Sequence, residues 1–397
     1  MAPRRVRYGP GMEGPVTATR FVAPEILSGA GIRRLAGRSA VNLGARHALV
    51  VSDPGVAAAG WTAQVCASLE AEGLPFTVFA EVSPNPRADE VAAGAIAYRA
   101  AGANAIVAVG GGSPVDAAKG IGIVVANGGR ITDYEGVDRI DAAIPPLLCV
   151  PTTAGASADA SQFAIISDRA AGVKLAIVSK TLVPDLTLLD PEVLVTKGRD
   201  LTAATGVDTL CHAVEAYVSV SASPLTDLLA LEAVRLVARH LPRSLAAPRD
   251  LEARAGMQQA CLLAGLAFSN SSLGAVHAMA HALGGLFDLP HGECNAILLP
   301  TVAAWNCEAA PERMAAVAAA LGGPGLPAAA GAGCDAVAGI LAGFVGRLGF
   351  ARRLGAAGVR REDVPGLATR ALEDPCMATN PRLPSQGEIE RLYEAAL

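Results

Sequence analysis

The chain has 397 residues, with 32 Lys and Arg against 37 Asp and Glu for a formal net charge of −5. That length holds two or three domains and a core of substantial size. The acidic balance offers nucleic acid or an anionic membrane no electrostatic attraction, and Gly, Pro, Arg or Asp interrupts every apolar run before it could span a bilayer.

Arg4, Arg5 and Arg7 open the chain without an apolar run behind them, which argues for a solvated lead-in and against a secretory signal. Eight cysteines without a Cys-x-x-Cys pair suit reduced thiols in a cytoplasm better than a disulfide framework. From about 46 to 190 short apolar runs alternate with helical stretches. Segments 47–52, 76–81, 105–109, 147–151 and 186–189 read as buried strands, with helices expected at about 57–72, 87–101 and 114–126. This alternation predicts parallel pairing in a doubly wound α/β layer. After about 195 the strand signal disappears. Helical spacing continues at roughly 201–219, 224–240, 250–268, 272–284, 295–305, 311–320, 333–347 and 387–396, and 321–335, rich in Gly, Ala and Pro, reads as a loop. The expected organisation is an α/β domain over 1–195 and an all-helical domain over 196–397, with a ligand cleft between them.

Asp53 ends the first of these strands, where its carboxylate suits either ribose hydroxyls or a turn cap before Pro54. Strand 105–109 runs into Gly110-Gly111-Gly112-Ser113-Pro114-Val115-Asp116, with Lys119 beyond. Ser113 as N-cap, Pro114 at the first helical position and Asp116 completing a capping box predict a helix start. The glycines before it would let a pyrophosphate approach bare amides at a helix N-terminus, or would simply make a tight turn. Pro151-Thr152-Thr153-Ala154-Gly155 ends another strand with hydroxyls that suit a cofactor or a turn.

In the helical half, Asp208, His212 and Glu215 fall on one helical face, either a charged stripe or half of a site. His277 and His281 share a face in the same way, Gly284 and Gly285 offer a helix stop after Leu283, and Pro290 precedes His291. Carboxylate and imidazoles from two helices are the donors that zinc or ferrous iron takes. Cys211 and Cys294 read as packing residues.

Taken together, Gly110-Gly111-Gly112-Ser113-Pro114 with Asp116 and Lys119, Pro151-Thr152-Thr153-Ala154-Gly155, Asp208-x-x-x-His212, His277-x-x-x-His281, Pro290-His291-Gly292 and Asn380-Pro381-Arg382 resemble the iron-containing (group III) alcohol dehydrogenase family. The resemblance spans nearly the whole chain in order. It implies an N-terminal dinucleotide-binding domain and a helical domain in the dehydroquinate synthase-like architecture, NAD(H), Fe²⁺ or Zn²⁺ in the cleft, a small alcohol or aldehyde as substrate, and a homo-oligomer. The family's four metal ligands fall on Asp208, His212, His277 and His291, which leaves His281 to face the nicotinamide and carry a proton. Cofactor positions fall on Asp53, Asn85, Gly111, Gly112, Ser113, Asp116, Thr152, Thr153, Ser161 and Lys174, and pocket positions on Phe163, Phe268 and Cys376. The chain departs from the family at Ala156-Ser157-Ala158-Asp159, where many members read Thr-Gly-Ser-Glu. The alternatives are a metal-dependent, NAD-using lyase resembling 3-dehydroquinate synthase and a reductase like the maleylacetate reductases, which dispense with metal.

Overall fold

The computed structural model describes residues 20–397 except 170, 288, 323–332 and 351. The arginine lead-in and most of the expected 321–335 loop lie outside the described residues. The strands in chain order are β1 (Glu25–Ser28), β2 (Ala48–Ser52), β3 (Phe76–Phe79), β4 (Ala105–Gly110), β5 (Gly136–Val137), β6 (Leu147–Pro151), β7 (Phe163–Asp168), β8 (Val173–Val178) and β9 (Leu186–Leu189). Among them run α1 (Ala36–Asn42), α2 (Pro54–Ala58), α3 (Trp61–Ala71), α4 (Ala88–Ala101) and α5 (Gly112–Asn127).

One parallel sheet has the order β1-β9-β6-β4-β2-β3. Every residue of β2, β4, β6 and β9 is buried, because helices cover both faces. Leu49, Val51, Ile106 and Ala108 pack with Val115 and Ile121 of α5 on one face. Their neighbours Val50, Val107 and Val109 pack with Val65 and Leu69 of α3 on the other. From β2 the chain steps outward to β3, then returns to lay β4 on the opposite side of β2. Such a reversal opens a crevice at the carboxyl ends of the strands, a favoured ligand position.

Several local expectations are corrected. The 57–72 helix is two, α2 and α3, separated by Gly60 at φ 81°. Helix α5 starts at Gly112 with Gly111 as its cap, so Ser113 is not the cap and Asp116 does not close a capping box. Strand β1 and the antiparallel pair β7–β8, with β5 parallel to β8, carry no helix-alternating signal and were not expected.

From Arg199 onward the chain is helical: α6 (Arg199–Val218), α7 (Pro224–Ala246), α8 (Leu251–Ser271), α9 (Ala275–Phe287), α10 (His291–Cys307), α11 (Pro311–Gly322), α12 (Cys334–Arg347), α13 (Val364–Glu373) and α14 (Gln386–Ala396), with short 3-10 turns between some of them. Of these, α13 was not expected. Ser223 and Asp250 cap α7 and α8, each accepting the amide of its N3 residue. Helix α9 does not stop at Gly284-Gly285, and neither glycine has a positive φ. A Cβ on Gly284 would lie 3.3 Å from Lys174 Nζ, so this glycine serves close packing rather than termination. Among the described residues no single helix is long and apolar enough to cross a membrane. Cys307 at the end of α10 and Cys334 at the start of α12 form a disulfide, Cα–Cα 5.5 Å, against the expectation that all eight thiols are reduced. Packing of α10 on α12 brings together two residues 27 apart in sequence. The other six cysteines are free and buried, Cys211 and Cys294 among them.

Candidate active site

Sheet register gathers the residues at the crevice. Ser52 pairs with Val109 and Gly110 with Pro151, so Asp53, Gly111 and Thr152 end adjacent strands on one edge. Asp53 caps α2, accepting the Val56 amide at 2.9 Å. A Cβ on Gly111 would meet Thr153 Oγ1 at 3.0 Å, and one on Gly112 the Ala156 methyl at 2.7 Å. Bare backbone is what lets the β4–α5 turn lie against the loop after β6. The hydroxyls of Thr152 and Ser161 are buried and find no partner among the described residues, as expected of groups that await a polar ligand. Lys174 on β8 donates to Asn85 Oδ1 at 2.9 Å. Ser113 sits half-buried in the first turn of α5. Below that turn, burial lifts the Asp116 carboxyl to about 7 despite nearby Lys119. Lys119, fully buried, donates to the carbonyls of Ser161 and Phe163 at 2.8 and 2.7 Å and so pins the start of β7 and the turn before it.

Across the crevice, α6 turns Asp208, His212 and Glu215 inward at 5%, 4% and 2% exposure, which excludes a solvated charge stripe. Helix α9 adds His277, and α10 starts on His291 with Pro290 as its cap. The start of α10 approaches α6 so closely that a Cβ on Gly292 would lie 2.4 Å from the Ala204 carbonyl oxygen. From Asp208 Oδ1 the Nε2 atoms of His291, His277 and His212 lie at 3.5, 3.6 and 3.9 Å. Donors about 2.1 Å from a tetrahedral ion stand roughly 3.4 Å apart; Asp208, His277 and His291 lie close enough to one another to hold a divalent cation, and His212 stands 3.9 Å from Asp208 but outside that group.

Glu215 explains how His277 is presented. Its Oε2 lies 2.5 Å from His277 Nδ1, while Oε1 accepts the Val276 amide at 2.6 Å. The Nδ1 proton is thereby committed and Nε2 faces Asp208, the arrangement by which outer carboxylates orient metal-binding histidines. Burial disfavours the charged form of His277, but Glu215 and Asp208 outweigh it and raise its pKa to about 9. Burial pushes His212 down to about 4 and His291 well below the ordinary value. It also opposes ionisation of Asp208, yet the surrounding imidazoles hold that carboxyl well below the usual range.

His281, one turn after His277, diverges from it. The two rings stand at 68° with centroids 6.1 Å apart, and His281 Nδ1 bonds Asp374 Oδ2 at 2.7 Å. The other oxygen of Asp374 accepts the Cys376 amide at 2.8 Å. His281 therefore keeps Nε2 for another partner while its ring stacks on His291. Phe268 stacks on His212 at 4.4 Å, and Phe163 lies 5.7 Å from Phe268. Cys376 is buried beside Asp374. Sequence spacing pointed to Glu215 without revealing its partner, and it missed Asn295 and Asp374. Asn295 had a usable signal, standing four residues beyond His291 on the same helical face. Asp374 had none, being 93 residues from His281.

Known sequences and structures match this arrangement along its length. A family described as iron-containing alcohol dehydrogenase matches residues 23–191, and the C-terminal part of the Fe-containing alcohol dehydrogenase family matches 202–397. The chain belongs to the iron-containing alcohol dehydrogenase family. The dehydrogenase is 37% identical over 379 residues to an NAD-dependent methanol dehydrogenase of Bacillus methanolicus, covering 95% of this chain and 99% of that one. It is 40% identical over 360 residues to a 1,3-propanediol dehydrogenase of Citrobacter freundii, covering 89% and 92%. The solved alcohol dehydrogenase from Oenococcus oeni superimposes with a TM-score of 0.92 at 34% identity, over 96% of this chain and all of that one. This enzyme is accordingly a metal-dependent, NAD-linked alcohol oxidoreductase, which sets aside the lyase reading.

Proposed function

We propose that the dehydrogenase interconverts small primary alcohols or diols with their aldehydes. Residues 1–195 hold NAD(H), and 196–397 carry Fe²⁺ on Asp208, His212, His277 and His291. Support for the substrate class comes from relatives that act on methanol and 1,3-propanediol. The observation that carries the chemistry is the convergence of Asp208 Oδ1 with three imidazole Nε2 atoms, beside His281 and the Phe163–Phe268 pair. A bound divalent ion there supplies Lewis acidity toward the alcohol oxygen.

The chain's own residues do the rest. Asp53, Asn85, Gly111, Gly112, Ser113, Asp116, Thr152, Thr153, Ser161 and Lys174 bind and orient the dinucleotide along the strand ends. Phe163, Phe268 and Cys376 exclude water from the alcohol side. His281, its Nδ1 tied to Asp374, takes the hydroxyl proton on Nε2 and passes it toward solvent. The metal-loaded enzyme should form NADH from methanol, ethanol, propanol, butanol and 1,3-propanediol. Iron loading should support more turnover than zinc. No NADH from any alcohol, and no NADH consumption with the matching aldehydes, overturns this reading.

Asp53 also sets the dinucleotide. Its carboxylate would stand against a 2′-phosphate at the ribose, and a repulsion of ~1.4 kcal/mol already corresponds to about a tenfold difference in affinity. NAD should therefore exceed NADP in kcat/KM by at least about tenfold, and Asp53→Gly should narrow the gap. An enzyme that works better with NADP removes this role.

A further inference from the structure

We propose that Asn295 is a positioning residue of the metal centre, its side-chain amide holding Asp208 in ligating orientation. This rests on the reading that Asp208, His212, His277 and His291 hold the ion. Asn295 is fully buried, one turn beyond His291 on α10. Its Nδ2 donates to Asp208 Oδ1 at 2.7 Å and lies 3.3 Å from Nε2 of both His277 and His291.

The sense of the amide follows from its neighbours. Asp208 presents a carboxylate oxygen, which only accepts. Turning the amide over would set its carbonyl oxygen 2.7 Å from a carboxylate oxygen, two like partial charges in a buried site. The amide N–H₂ therefore donates to Asp208.

A second observation separates this residue from ordinary packing. Asn295 Oδ1 is buried and finds no partner among the described residues. An unmet buried acceptor costs roughly 1–3 kcal/mol, which a leucine filling the same space would avoid. What the amide provides in return is the hydrogen bond to Asp208. A carboxylate oxygen has two lone pairs, so the one that meets Nδ2 leaves the other for the ion. Outer donors of this kind typically change metal affinity by about tenfold to a hundredfold.

The test compares the parent with Asn295→Leu and Asn295→Ala. Three quantities are measured: zinc affinity by chelator competition, NAD affinity by fluorescence titration, and the melting temperature of metal-free protein. The expected result is a zinc dissociation constant raised roughly tenfold to a hundredfold in both variants, with NAD affinity unmoved and with metal-free Asn295→Leu melting no earlier than the parent. A zinc affinity like the parent's overturns the proposal. So does a joint loss of zinc affinity, NAD affinity and melting temperature in both variants, because Asn295 would then act through packing. A parent that retains no ion fails differently: it removes the four-ligand centre itself, and this proposal with it.

Discussion

His277→Ala should reduce alcohol-dependent turnover on the order of a thousandfold or more, because several kcal/mol of charge stabilisation at the alcohol oxygen depends on a correctly held ion. In the proposed ligand set His277 contributes Nε2, 3.6 Å from Asp208 Oδ1, and its removal leaves Asp208, His212 and His291. It also strands Glu215, which is 2% exposed and gives one of its two oxygens to His277. Removing one partner of a buried charged pair costs about 3–5 kcal/mol, so the variant should also melt earlier. NAD affinity should survive, since the proposed dinucleotide site lies along the strand ends of the sheet. Elemental analysis, turnover and NAD titration on the same preparation separate the three effects. In the parent, a proton competes with the ion for His277 Nε2, because Glu215 and Asp208 raise that ring to about 9. Metal affinity should accordingly increase as pH rises from neutrality toward 9. Full turnover in His277→Ala would show that the ion is not where the chemistry is.

His281→Ala should leave metal content and NAD affinity intact while lowering kcat by about 10²–10⁴, the usual worth of a positioned proton carrier. The reason is geometric. His281 is held by Asp374 rather than by Asp208, its ring lies flat on His291, and it is 17% exposed, between the ligand cluster and solvent. Losing it removes the proposed carrier of the alcohol proton. Added imidazole should restore part of the rate, which a purely structural loss would not allow. Unchanged turnover at every pH would remove His281 from the mechanism.

Four of the five expected strands are buried on both faces, where a run such as Leu49-Val50-Val51 has no other good use, while the fifth, β3, pairs with β2 at the sheet edge with Val78 exposed. The histidine spacing was less informative. His277 and His281 share a helical face, yet Glu215 turns one ring toward Asp208 and Asp374 turns the other away. Those two carboxylates, not the four-residue period, decide which histidine faces Asp208. Periodicity misjudged the ends of α5 and α9 because glycines there serve close contacts with Ala156 and Lys174, and a local pattern cannot distinguish a stop from a contact.

Read alone, the sequence determined the α/β-then-helical order, the strand ends that carry Asp53, Gly111 and Thr152, and the residue types of the ligand set. Those depend on periodicity and side-chain chemistry, which are local properties. Only the tertiary structure decided which atoms meet. Sheet order places the β2 and β4 termini side by side. The close contact of α10 with α6 at Gly292 brings His291 to within 3.5 Å of Asp208. Packing joins Cys307 to Cys334 and aims Asn295 at the ligands. Each of these pairs residues far apart in the chain, and such contacts leave no period in the sequence.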